Sequence, residues 1–124
     1  MREHVINPTT GVLITDWIRW WHLSIEDVHA GLDTPISAAR RYGLDAEETL
    51  EFIRRSLRAL LDQGAIPVVL PGTGRYRYVR TNRYGTRRDE IVEGVIAEWQ
   101  TRGDRPMAWG DYAFTMPENL TILR

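Results

Sequence analysis

The chain has 124 residues, enough for one domain (1–124) with a core that needs no covalent staple. It has no cysteine, which excludes a disulfide framework, a thiolate metal site and a cysteine nucleophile. Its formal net charge is −1, so the whole molecule is not an electrostatic binder of nucleic acid, and no apolar run approaches the roughly 20 residues of a membrane span. The opening Met-Arg-Glu-His-Val-Ile-Asn-Pro lacks the apolar stretch of a secretory signal, so a soluble, cytoplasmic protein is expected.

Charge is unevenly placed along the chain. Residues 1–39 carry two Arg against five acids, a net of −3; residues 40–88 carry eleven Arg against five acids, a net of +6; residues 89–124 carry three Arg against seven acids, a net of −4. All 16 basic residues are arginine, which a GC-rich codon usage explains without selection for bidentate recognition.

In chain order, residues 1–11 read as a loose lead-in broken by Asn7-Pro8 and Gly11. Ile14, Trp17, Ile18 and Trp21 predict a helix over about Leu13 to Leu23, with Trp20 off the buried stripe. Ser24, with Asp27 three residues on, predicts the cap of a second short helix through Ile25, Val28 and Leu32. Thr34-Pro35 has the cap-then-proline pattern of another helix, carrying Ile36 to Tyr42 and ending at Gly43.

The stretch Asp45–Arg80 is the organising one. Asp45 and Glu48 form a capping-box signature; Leu50, Ile53, Leu57, Leu60 and Leu61 share a helical face, and Gly64 ends it. Ile66 to Leu70, a Pro71-Gly72-Thr73-Gly74 turn and Arg75 to Arg80 then predict a hairpin with Tyr76 and Tyr78 on one face. A helix running straight into such a hairpin is the core of a winged-helix-like unit. A polar, Arg-rich connection leads to Thr86, read as the cap of a last helix over about Arg88 to Thr101. Ile91, Val92, Val95, Ile96 and Trp99 are its buried face and Gly103 its end. The aromatic run Trp109 to Met116 predicts a final strand. The fold class is therefore α+β: mostly helical, a helix–hairpin core, and a C-terminal helix plus short strand.

No catalytic constellation emerges. His4, His22 and His29 show no metal-ligand spacing, so no metal or cofactor is expected. Pro71-Gly-Thr-Gly-Arg75 lacks the Lys-Ser/Thr and the helix start of a phosphate loop, and no serine sits in a nucleophile elbow. Glu47-Glu48 and Asp89-Glu90 fall in first turns, where the helix dipole accounts for them. The expectation is not an enzyme.

Two binding classes stay open. Ile36–Gly43, a turn and the helix from Ala46 have a helix-turn-helix shape. Arg54, Arg55, Arg58, Arg75, Arg77 and Arg80 are the residues with which a winged-helix transcription regulator would hold DNA. Against it, Glu47 and Glu48 occupy the helix tip that should meet the groove, where carboxylates repel phosphates. A protein partner would instead be met by acidic tips, Asp45, Glu47 and Glu48 at one helix and Glu26 and Asp27 at another, together with Trp20. A stable homo-oligomer without external ligand is a third, blander reading.

The C-terminal third carries a resemblance. Asp89-Glu-Ile-Val-Glu-Gly-Val-Ile-Ala-Glu98-Trp99, Gly103-Asp-Arg-Pro106 and Gly110-Asp111-Tyr-Ala-Phe114, with the upstream junction Leu60-Leu61-Asp62-Gln63-Gly64-Ala65-Ile66, resemble small bacterial immunity proteins of polymorphic secreted toxins over about residues 50–116. The N-terminal Trp-rich helix lies outside that resemblance, and the Arg75-Tyr-Arg-Tyr78 hairpin is longer and more basic than its pattern. The resemblance implies a non-enzymatic chain that binds and blocks a cognate toxin by masking its active cleft, with the Gly110-Asp111 pair serving the fold. Segregated charge would suit fast association with such a partner.

Overall fold

The structure, a computed structural model, describes residues 1–25, 28–70, 78–103 and 111–120. The chain is α+β and mostly helical: α1 (Ile14–Trp20), α2 (Asp33–Arg41), α3 (Ala46–Asp62) and α4 (Arg88–Arg102) accompany a short four-stranded antiparallel sheet. Among the described residues, no helix is long and apolar enough to cross a membrane.

The longest helix, α3, starts at the predicted capping box with both reciprocal bonds made. Glu48 N–H donates to Asp45 Oδ1 at 2.8 Å, and Asp45 N–H donates to Glu48 Oε1 at 3.2 Å. Its buried residues are Phe52, Ile53, Ser56, Leu57 and Leu60, which at 3.6 residues per turn sweep an arc of roughly 140°. Leu50 and Leu61 of the expected stripe are partly buried at one margin, and Phe52 widens it at the other. That width lets α3 serve two clusters. Phe52 packs with Ile14, Ala38, Ala39 and Tyr42 from α1 and the α2 end. Ile53, Leu57 and Leu60 pack with Ile91, Val92, Val95 and Ile96 of α4 and with Ala30 and Phe114 of the sheet.

Tryptophans join the two clusters. Trp17 stacks on Trp21 with ring centroids 5.3 Å apart and leans on Phe52 at 5.1 Å. The buried Trp21 indole donates to the Ser56 carbonyl at 3.0 Å, and the small side chain at position 56 lets the ring reach the helix backbone.

The sheet consists of β1 (His29–Ala30), β2 (Ile66–Val69), β3 (Val79–Arg80) and β4 (Phe114–Thr115) in the order β1-β4-β2-β3. The predicted hairpin is present as β2 paired with β3, Val68 opposite Arg80 and Val69 opposite Val79. The turn Pro71–Gly74, with Arg75, Tyr76 and Arg77, lies outside the described residues. The final strand is central: His29 and Ile66 flank Thr115, and Ala30 and Pro67 flank Phe114. Ala30 and Phe114 face the helices, while Ile66, Val68, Tyr78 and Ala113 form a smaller cluster with Leu70 and Leu120.

Four local expectations are corrected. The second short helix through Ile25, Val28 and Leu32 is a 3-10 turn, Trp21–Ile25, followed by β1. The Ser24 hydroxyl donates back to Trp21 O at 2.7 Å, and pairing with β4 claims His29 and Ala30. Helix α4 starts after Arg87, without a side-chain cap from Thr86, and α2 starts at Asp33, one residue ahead of Thr34. The N-terminal lead-in is an ordered turn: Asn7 Oδ1 accepts from Thr9 N–H at 2.9 Å and Thr10 N–H at 3.3 Å, and Ile14 N–H donates to Val5 O at 3.0 Å.

Arg2 also reaches α3, donating through Nε to Glu48 Oε2 at 2.8 Å. The Arg2 bond first, and then the Asp45 backbone N–H, hold the Glu48 carboxyl down at about 2. A carboxyl depressed in the folded chain adds stability that is fully present above its unfolded pKa of about 4.3 and is lost as pH falls toward 2. Glu48→Gln should therefore be less stable than the parent at neutral pH in chemical denaturation. The difference should shrink between about pH 4.5 and pH 2; a gap that stays constant over that window would show that the Glu48 charge contributes nothing.

Candidate binding surfaces and a polar cleft

The acidic tip expected to meet a partner divides by role. Asp45 and Glu48 are engaged in the cap and the Arg2 bridge, whereas Glu47 is exposed and bonds to no described residue. Glu26 and Asp27 lie outside the described residues.

Three of the arginines expected to hold DNA, Arg54, Arg55 and Arg58, have partners within the fold. Arg54 donates to Glu51 at 3.2 Å and, across to α4, to Glu93 at 2.7 Å. Arg55 pairs with Glu51 at 3.1 Å and with Glu3 at 3.0 Å, and Arg58 lies 3.9 Å from Asp89. The seam is completed in the opposite sense by Arg88 of α4, 2.8 Å from Asp62 of α3. Four arginines thus meet five carboxylates along one antiparallel helix pair, and hydrogen bonds to Glu93 and Glu3 are the leading reason the Arg54 and Arg55 guanidiniums are raised. The +6 segment of the sequence is not a +6 face. Arg80 is exposed on the edge strand β3 without an ion-pair partner among the described residues; Arg75 and Arg77 lie outside them.

Trp20, read as off the buried stripe, is 51 % exposed, and Leu23 beside it 54 %. They lie three residues apart across the junction of α1 with its 3-10 turn, a spacing that puts side chains on one side. Trp109, the other tryptophan without a stripe, lies outside the described residues. The histidines form no site: His29 Nδ1 shares a hydrogen bond with the Tyr78 hydroxyl at 3.2 Å. Among the described residues no three His, Cys, Asp or Glu side chains gather to hold a metal ion.

One concavity was not singled out in the sequence. A cleft of about 320 Å³ lies between the second half of α4, the Thr81–Tyr84 segment and the ends of β2 and β4. Two parallel arrangements line it. Arg83 pairs with Glu98 and lies 5.7 Å from the Tyr84 ring centroid. Arg102 donates to Asp111 Oδ2 at 2.7 Å and lies 5.2 Å from the Tyr112 ring centroid. Burial first, then hydrogen bonding to Glu98, pushes the Tyr84 hydroxyl well above the usual phenol range, so it stays a protonated donor. Tyr112 is only 7 % exposed, and hydrogen bonding first to Asp111 and then to Tyr112 raises the Arg102 guanidinium beside it.

Two glycines shape these walls. Gly94, in the middle of α4, lets the Tyr84 segment approach: a Cβ there would meet Tyr84 Cβ at 3.2 Å. Gly31 leaves room for the Asp111–Tyr112 corner, where an added Cβ would sit 2.7 Å from the Asp111 carbonyl oxygen. Tyr112 itself holds a left-handed backbone at φ 52°, which non-glycine residues adopt at a cost. The available sequence signal was Gly94, since a glycine inside an amphipathic helix marks a close approach.

Gly31→Ala should destabilise the chain by about 1–3 kcal/mol, because the new methyl group meets backbone rather than a yielding side-chain end. Urea denaturation measures this; an unchanged midpoint would mean that the Asp111–Tyr112 corner moves freely.

Comparison with protein-family models, with curated proteins and with solved structures yields no match, so the likeness to toxin immunity proteins rests on the quoted motif residues alone.

Proposed function

We propose that the chain is a non-enzymatic protein-binding module, an immunity protein that binds a cognate bacterial toxin and masks its active cleft. The observation that carries the binding reading is the pairing of two exposed large apolar side chains, Trp20 and Leu23, at one helix junction. A tryptophan is the residue type most enriched among interface anchors, and it gains most when a partner removes it from water. The toxin as partner comes from the motif resemblance. Exposed Glu47 offers a carboxylate to a cationic nuclease cleft without loss to the fold, since it is outside the capping box.

The nucleic-acid alternative has less to stand on. Each contacted phosphate needs a cation, and Arg54, Arg55 and Arg58 already face carboxylates of Glu51, Glu93, Glu3 and Asp89. To meet DNA they would have to leave these partners while Glu47 approaches the same groove.

The test is affinity purification of the tagged chain from its host, with bound protein and nucleic acid both identified, followed by co-expression with the toxin recovered. A stoichiometric toxin that survives high salt is expected. Trp20→Ala should weaken the purified complex by about thirtyfold or more, the size of an interface anchor, while thermal melting stays near the parent's. Glu47→Lys should weaken it further if the toxin cleft is basic. Duplex DNA recovered in place of protein, and released as salt rises, would overturn the proposal in favour of the regulator.

A further inference from the structure

The open edge of the sheet has no part in that reading. Strand β3 ends the order β1-β4-β2-β3, and among the described residues nothing pairs with its outer side. Thr81 N–H donates to Pro67 O at 3.0 Å, which makes Arg80 and Val68 a non-hydrogen-bonded pair of the antiparallel ladder. The residues of such a pair turn their backbone groups away from each other. Val68 accordingly gives its N–H to Ala113 O, beside β4, at 3.0 Å, and the N–H and C=O of Arg80 face the open edge.

The side chains on this edge are of two kinds. Val79 and Val69, directly opposite each other, are 41 % and 47 % exposed, an apolar pair left to water on one face. Arg80 takes the other face by strand alternation. The surrounding stretch is cationic: from Gln63 to Arg88 the chain has six arginines and no acid. Arg83 and Arg88 are taken by Glu98 and Asp62, whereas Arg80 and Arg87 are exposed with no ion-pair partner among the described residues. Arg80, Thr81, Asn82 and Thr86 also line a hollow of about 340 Å³ whose described lining includes no carboxylate; Glu90, packed against Gly85, is outside that lining.

A basic residue on an open edge also serves to keep other strands away, but a protective edge would not leave Val69 and Val79 bare beside it. A phosphate backbone would meet the cations, yet it brings no donor for the Arg80 carbonyl and no apolar group for the valines. An acidic peptide satisfies all three. We propose that β3 takes an extended, acidic segment of a partner protein as a further antiparallel strand, the direction of every described pairing in this sheet. The residue opposite Arg80 exchanges both backbone bonds with it and sets an acidic side chain on the same face. Its neighbours fall beside Val79 and are apolar, so acidic and apolar residues alternate along the segment.

The isotope-labelled full chain would be followed by NMR against four probes. These are a blocked Glu-Val-Glu-Val-Glu peptide, its Lys-Val-Lys-Val-Lys counterpart, the acidic peptide N-methylated on its glutamates, and a DNA duplex. With the acidic peptide, saturable shifts are expected at Val79, Arg80 and Thr81, and the Arg80 amide should become protected from hydrogen exchange. Affinity should exceed that of the lysine peptide by about tenfold or more, and Arg80→Glu should reverse the preference while thermal melting stays near the parent's. Methylated glutamates should lose the binding, because their N–H groups are the ones aimed at β3. Equal affinity for the lysine or the methylated peptide, or tighter binding of the duplex, would each overturn the proposal. So would the absence of a saturable shift, which would leave the arginine as a guard of the edge. None of these results depends on whether Trp20 meets a toxin.

Discussion

The fold depends on α3 being buried along two sides at once. A surface helix normally offers one stripe to one core, but here Phe52 faces α1 and α2 while Ile53, Leu57 and Leu60 face α4 and the sheet. One cluster is the main core and the other is small, but each is closed by the same helix, so the two depend on it together. The tryptophans at Trp17 and Trp21 bridge the gap, one by stacking and one by bonding to the α3 backbone. An early break in α3 would open both clusters, which gives the Asp45–Glu48 cap, reinforced by Arg2, an importance beyond one helix end.

The same constraint decides where charge can act. With so much of α3 buried, its arginines and acids crowd into the remaining strip, flanked by α4 on one side and the N-terminal residues on the other. Glu93, Asp89 and Glu3 arrive from those neighbours at positions that meet Arg54, Arg58 and Arg55. Exposed pairs of this kind contribute about 0–1 kcal/mol each, so their main consequence is electrostatic: they cancel the basic segment seen in the sequence. Long-range steering by a positive α3 face is thereby much reduced. The surfaces that carry little net charge are the Trp20–Leu23 junction and the cleft beside α4, where each arginine is paired.

What the sequence made legible follows the range of the interactions involved. The cap of α3, the pairing of β2 with β3 and the off-stripe position of Trp20 all arise from near neighbours in the chain, and local pattern placed each of them. The stretch from Ser24 to Leu32 was misread because its hydrogen bonds go to Phe114 and Thr115, some 85 residues away. The ion-pair seam was hidden for the same reason: summing charge by segment cannot see that Arg54 faces Glu93. The cleft was least visible. It gathers Arg83 and Tyr84 from a connection, Glu98 and Arg102 from α4, and Asp111 and Tyr112 from a corner that had been assigned to the fold alone.

The corner at Tyr112 shows the same economy at short range. A residue serving only as a structural bend could be glycine, which adopts a positive φ at no steric cost. Position 112 instead carries a tyrosine at φ 52°, buried, with an arginine beside its ring. The strained backbone lowers stability, and the ring's packing in the main core offsets part of that cost. Phenylalanine would keep the packing but lose the hydroxyl's bond with Arg102, which also holds Asp111, so the ring serves the core and the hydroxyl helps to place the guanidinium at the corner.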